Sequence, residues 1–358
     1  MKILVLGGTG AMGVHLVRIL ADAGHDVYVT TRKKRSNTRN IIYLSGNAHS
    51  GEFLDQLLKS HWDAVVDFMV YSTAEFQNRI KQLLNAAEQY IYLSSSRVYA
   101  DSVVPITEES PRLLDVCHDP VYLATDEYAL SKARQEDLLK NSGQSNWTVI
   151  RPYITYSETR LQLGGLEIGS WLFRALHGRT IVFSRDLLSC TTTLTYGKDV
   201  SRGIAGIIGK EDALGQFFHI TSEESSTWGN ILGIYLRCLE EYSGKRPRVY
   251  LTDKSLNLKY GKYQILYDRC FNRRFDNSKI GHFIDVSSFK SPEEGLAECL
   301  KSFLKNPVFP AVGSRWEAEF NRLTHERISF LEFPSLQQYL KYVICRYFLI
   351  YLQRKEDM

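Results

Sequence analysis

The sequence predicts an α/β fold with a doubly wound parallel sheet, a smaller mixed α/β part and a C-terminal helical extension. Short apolar, β-branched runs recur near residues 2–6, 26–31, 41–44, 63–68, 90–95 and 146–151, bounded by turn-forming residues as strands are. Between them, stretches near 11–23, 51–60, 74–88 and 125–140 carry helically spaced apolar residues. Strands and helices that alternate in this way join through crossovers into one parallel sheet. The length supports it: 358 residues, 44% hydrophobic and 23% charged, bury a sizeable core and show no depletion of the kind that marks disorder.

The first strand runs into Gly7, Gly10 and Gly13 within Leu6-Gly-Gly-Thr-Gly-Ala-Met-Gly13. Glycine at these points permits a tight turn, lets the backbone approach a pyrophosphate and lets the next helix lie close to the sheet. That helix turns its N–H groups and positive dipole end toward the phosphates. Strand, turn, helix and second strand follow in the order a dinucleotide site requires. Gly7, Thr9, Gly10, Ala11, Met12 and Gly13 are the expected contacts.

The second strand ends in Thr31-Arg32-Lys33-Lys34-Arg35, where an NAD site would place a carboxylate on the ribose 2′-hydroxyl. Arg32 and Lys33 suit a 2′-phosphate instead. NADP is the expected cofactor, with NAD possible. Lys34 and Arg35 read as solvated loop cations.

A second cluster supplies chemistry. Residues Tyr90 to Leu93 form an aromatic and β-branched strand that ends in Ser94-Ser95-Ser96, and Tyr128-Ala-Leu-Ser-Lys132 follows on a helix. Four apart, Tyr128 and Lys132 share one face. An ammonium beside a phenol favours the phenolate, which an acid–base tyrosine needs. A serine hydroxyl at the strand end is placed to hold the reacting oxygen.

With these motifs the chain resembles the extended short-chain dehydrogenase/reductases, a superfamily of nucleotide-sugar epimerases, dehydratases and reductases. The glycine motif, the Tyr128-x-x-x-Lys132 pair, Ser94-Ser-Ser-Arg-Val-Tyr99, Thr148-Val-Ile-Arg-Pro152, Thr195-Tyr-Gly-Lys-Asp-Val200 and His219 to Trp228 match in order. They cover roughly residues 1 to 305. The resemblance implies that Ser95, Tyr128 and Lys132 are catalytic, that Pro152 also lines the cofactor, and that Ser96, Arg97, Tyr153 and Arg160 meet the substrate. It departs at Ile154, where the family carries a diphosphate-binding Asn, at Asn47, which replaces an acidic residue near the adenine, and at Met69, bulkier than the usual small residue beside the cofactor. These departures also resemble a less typical branch, the chloroplast stem-loop RNA-binding proteins.

The expected division is a Rossmann domain over 1–154, a substrate-binding part over 155–305 with some segments returning to the main sheet, and an extension over 306–358. The six cysteines, at 117, 190, 238, 270, 299 and 345, show no metal-type or Cys-x-x-Cys spacing. No metal is expected. A first strand beginning at residue 2 implies a cytoplasmic protein. The net charge of +4 permits an anionic substrate and falls short of a nucleic-acid footprint. The apolar run 339–352 is shorter than the roughly 20 residues of a membrane span; it suits an interfacial helix, and a helix docked on its own domain or on a second subunit is preferred, with a homodimer expected.

The activity expected is that of an NAD(P)-dependent oxidoreductase or epimerase acting on a hydroxyl or keto carbon of a sugar, with a nucleotide sugar as partner. A dehydratase is disfavoured, because Ser96-Arg97 stands where that subgroup carries Asp-Glu. The alternative is a binding protein, for example for RNA, that keeps the fold with idle chemistry.

Overall fold

Seven parallel strands build the main sheet of the computed structural model, which describes residues 1–258, 261–310 and 313–348. They are β1 (Lys2–Leu6), β2 (Asp26–Thr31), β3 (Ile41–Ser45), β4 (Trp62–Asp67), β5 (Ala87–Leu93), β6 (Trp147–Pro152) and the strand Gln216–Ile220. Their spatial order is Gln216–Ile220, β6, β5, β4, β1, β2, β3. The order reverses beside β1, which places a crevice at the carboxyl ends of β1 and β4.

Ile3, Leu4, Val5 and Leu6 of β1 are wholly buried, as a central strand with both faces covered requires. On one face Leu16, Val17 and Leu20 of helix α1 (Gly13–Asp22) pack with Ile3, Val5, Val27 and Val29. On the other, Phe76, Leu83 and Leu84 of a helix over Thr73–Asn85 pack with Leu4, Leu6, Val65 and Tyr90. Each such side chain contributes about 1.5–3 kcal/mol through its burial. Ser72 and Glu75 close a capping box at the start of that second helix.

The chain divides into two compact units. The first comprises Met1–Ser157, Thr192–Ser225 and Phe271–Gly295. Residues 192–225 and 271–295 thus return from the stretch 155–305 to the unit that holds the main sheet, where Gln216–Ile220 pairs with β6 in register from Thr148 to Pro152.

The second unit comprises Glu158–Thr191, Ser226–Cys270 and the chain from Leu296. Residues beyond 306 are part of it: the guanidinium of Arg174, fully buried, donates to Glu317 at 2.7 Å, Asn321 at 2.9 Å and Glu326 at 2.8 Å. Tyr342 and Cys345, within and just after the helix Leu336–Val343, pack with Phe173, Ala318, Ile328 and Phe333. The outer face of this helix exposes Leu336, Leu340 and Ile344. Positions 349–352 of the apolar run lie outside the described residues. Among the described residues no helix is long and apolar enough to cross a membrane, and no group of three or more potential ligands is arranged for a metal ion.

Candidate active site

The glycine turn sits at the carboxyl end of β1. Gly7 has φ +70°, a conformation that disfavours side chains, and its N–H donates to Thr30 Oγ1 at 2.9 Å. Thr9 N–H closes the turn on the Gly7 carbonyl at 2.9 Å. A Cβ at Gly13 would lie 2.6 Å from the Gly8 backbone, so helix α1 can pack here only with glycine. A Cβ at Gly10 would meet nothing within 4 Å. Open space at Gly10 adjoins the start of α1, whose first turn carries no acidic residue and whose N-cap Met12 makes no side-chain cap. A helix start of this kind leaves room for an anionic group and favours one electrostatically. Met69 stands opposite, its sulfur 3.1 Å from where a Gly7 Cβ would be.

Arg32 and Lys33 are exposed just beyond β2, where the Thr31 side chain holds Lys33 at both backbone groups. Asn47 is exposed after β3, and its Oδ1 accepts the His49 N–H at 3.1 Å.

The candidate catalytic groups gather at the end of β5. Tyr128 opens the helix Tyr128–Lys140, and Lys132 lies one turn on, 2% exposed. The Lys132 ammonium donates to the Leu93 carbonyl at 2.7 Å and lies 4.5 Å from the ring centre of Tyr92 and 5.9 Å from that of Tyr128. Burial lowers the Lys132 pKa to about 8, against the attraction of Asp67 and Glu136. Ser95 is 7% exposed, and its hydroxyl accepts the Arg97 N–H at 3.2 Å. Arg97 in turn places its guanidinium 5.3 Å from the Tyr128 ring centre.

Ser96, Tyr153 and Arg160, expected at the substrate, and Pro152, expected at the cofactor, have the following surroundings. Ser96 is wholly buried and its hydroxyl donates to the Arg151 carbonyl at 2.6 Å, so the short 3-10 turn Ser96–Val98 spends it inside the fold. Tyr153 is buried against Phe275, ring centres 5.3 Å apart. Pro152 ends β6 opposite Ile220. Arg160 belongs to the second unit, 3.7 Å from Glu167.

Beneath the centre lie groups that sequence reasoning missed. Asp67, wholly buried, accepts hydrogen bonds from Tyr90 at 2.9 Å, Tyr71 at 3.1 Å and the Met69 N–H at 2.9 Å. Burial raises its pKa, opposed by these donors and by Lys132. Glu136, also wholly buried, accepts from Ser94 at 2.5 Å and from Arg151. Tyr92 donates to Gln135, which anchors on the Tyr71 carbonyl at 2.9 Å. Arg273, fully buried, donates to the carbonyls of Tyr99 and Ala100 and so holds the chain leaving the serine turn. The signal for Glu136 was present: positions 128, 132 and 136 share one helix face.

A parallel sheet with a glycine turn at its switch point defines the class, a doubly wound α/β protein of Rossmann type. The model of the NAD dependent epimerase/dehydratase family matches residues 3–220, and the chain belongs to that family. It is 28% identical over 249 residues to the chloroplast stem-loop binding protein of 41 kDa b from Arabidopsis thaliana, covering 64% of this chain and 61% of that one. It is 27% identical over 169 residues to the UDP-glucose 4-epimerase of Azospirillum brasilense, covering 40% of this chain and 45% of that one. The chain thus spans about three fifths of the first relative and less than half of the second. The solved structure of UDP-glucuronic acid 4-epimerase from Bacillus cereus, in complex with UDP-glucuronic acid and NAD, shares the fold at TM-score 0.62 and 19% identity, covering 86% of this chain and all of that one.

Proposed function

We propose that the protein is an NAD(P)-dependent oxidoreductase or epimerase acting on a hydroxyl or keto carbon of a nucleotide sugar. The observation that carries this is the buried Lys132 ammonium, held on the Leu93 carbonyl one helical turn from Tyr128 at the end of β5. A nicotinamide dinucleotide, when bound, supplies or takes up the hydride. Gly10 and the start of α1 would hold its pyrophosphate, and Arg32 with Lys33 would hold a ribose 2′-phosphate, which would favour NADP over NAD. Tyr128 moves the proton of the reacting hydroxyl, Lys132 favours its phenolate, and Ser95 holds the reacting oxygen. In this reading the protein works as a cytoplasmic homodimer without nucleic acid or metal.

The stem-loop binding relative favours a second reading, a binding protein with idle chemistry. One experiment separates the two: the nucleotide copurifying with the full-length protein is identified, and the protein is assayed with a panel of nucleotide sugars and their keto forms under both cofactors. Turnover abolished by Tyr128→Phe supports the enzyme. Tight stem-loop RNA binding with no turnover across the panel defeats it.

A further inference from the structure

Arg97 is less than a fifth exposed, and its Nη2 donates to Glu127 Oε1 at 2.6 Å. Glu127 is the N-cap of the helix that carries Tyr128 and Lys132. Its Oε2 accepts the Ala129 N–H at 2.8 Å and the Tyr122 hydroxyl at 3.2 Å. Ser, Thr, Asp and Asn are the residues that suit this position best. Capping alone therefore does not account for a glutamate; its extra methylene lets one carboxylate cap the helix and hold Arg97 together.

The Arg97 guanidinium centre stands 5.3 Å from the ring centre of Tyr128. A cation there attracts the quadrupole of a neutral ring weakly and a phenolate more strongly, because the second attraction is charge against charge. Other groups face Tyr128 as well. Lys132 lies on the same helix at 5.9 Å, and Tyr92 comes from β5 beneath Lys132. Asp67 from β4 and Glu136 act on Lys132. The Glu127 carboxylate opposes Arg97, but its charge is shared among the Ala129 N–H, the Tyr122 hydroxyl and Arg97 itself.

We propose that Arg97, pinned by Glu127, is a positioning residue for Tyr128, holding its ring and acting beside Lys132 as the second cation that favours its phenolate. This rests on the reading of Tyr128 as the proton-transfer group. With its charge matched by Glu127, Arg97 acts on the substrate through Tyr128.

The test needs no substrate. The full-length chain is titrated while following the phenolate absorbance that Tyr128→Phe removes. Arg97→Met keeps the bulk without the charge and is expected to raise the Tyr128 midpoint by about one pH unit, the scale for one opposite charge at this range. Arg97→Lys is expected to restore at least half of that change. A midpoint unmoved by Arg97→Met, or raised equally by Arg97→Lys, overturns the proposal. Should Arg97→Met not fold, Arg97→Gln is read by the same criterion. A midpoint that follows Arg97 in a protein without nucleotide-sugar turnover defeats the enzyme reading and leaves the clamp standing.

Discussion

Glu136 and Arg151 meet in a two-point fork of 2.8 and 2.7 Å, with neither side chain more than 4% exposed. Arg151→Met leaves Glu136 with Ser94 and the longer contact to Arg112 at 3.4 Å. Removing one partner of a buried pair strands a charge, and the expected loss is about 3–5 kcal/mol. The double replacement Arg151→Met with Glu136→Leu is expected to cost less than the single one. Urea unfolding of both checks this; a double variant less stable than Arg151→Met contradicts it.

Tyr128→Phe removes the hydroxyl and keeps the ring. Turnover on an identified substrate is expected to fall on the order of 10²–10⁴-fold, the usual contribution of a placed acid–base group. Cofactor affinity, measured by calorimetry, is expected to change little. Near-normal turnover would refute the assignment.

Lys132 gives a pH signature with a defined sign. Its pKa is lowered to about 8 by burial, from an ordinary 10.5. Below pH 8 the lysine is charged in folded and unfolded chains alike, and the fold carries the whole desolvation cost. Between those two values the folded chain releases the proton and the unfolded chain keeps it, so stability rises with pH. Relative to Lys132→Met, the wild type is expected to gain on the order of 3 kcal/mol from about pH 7 to about pH 11. Denaturant unfolding at both ends measures it, and a pH-independent difference would refute it.

Arg32 tests the cofactor. A charge-assisted contact from its guanidinium to a 2′-phosphate contributes roughly 1.5–3 kcal/mol, so NADPH is expected to bind at least about tenfold more tightly than NADH. Arg32→Glu is expected to reverse the order. Equal dissociation constants in the wild type would sink the NADP preference.

Truncation after Pro334 removes Tyr342 and Cys345 from their cluster and takes away the Cys345 carbonyl that accepts from Arg322 at 2.7 Å. Losing two buried side chains costs several kcal/mol, so the melting temperature is expected to fall by roughly ten degrees. A truncated chain of unchanged stability that no longer pellets with anionic vesicles, when the full-length chain does, would show the segment to be a lipid anchor instead.

The strands of the main sheet were legible because β-branched runs between glycine and polar turns leave few alternatives. Boundaries were less so. Thr125 to Glu127 read as helix by composition, yet the helix begins at Tyr128 because Glu127 caps it. Ala87 and Glu88 read as helix and lie in β5, where Ala87 pairs with Trp62. Tyr128 and Lys132 were visible from spacing alone, and Gly7, Gly10 and Gly13 from their place after a strand. Glu136 shares the helix face of Tyr128 and Lys132, but that spacing does not show burial, and a glutamate among polar helix residues reads as solvated until Arg151 arrives from another strand. Gln216–Ile220 was legible as a strand but not as the neighbour of β6, because nothing local records a partner more than sixty residues earlier.

That late pairing has a consequence for synthesis. As the chain leaves the ribosome, β6 is complete at Pro152 while the strand that covers its outer side ends at Ile220. During that interval the nascent sheet presents an open edge whose backbone groups can template another chain. Residues Phe271–Gly295 come later still, so the first unit is complete only once they have emerged, and the interval is when holdase chaperones have most to shield.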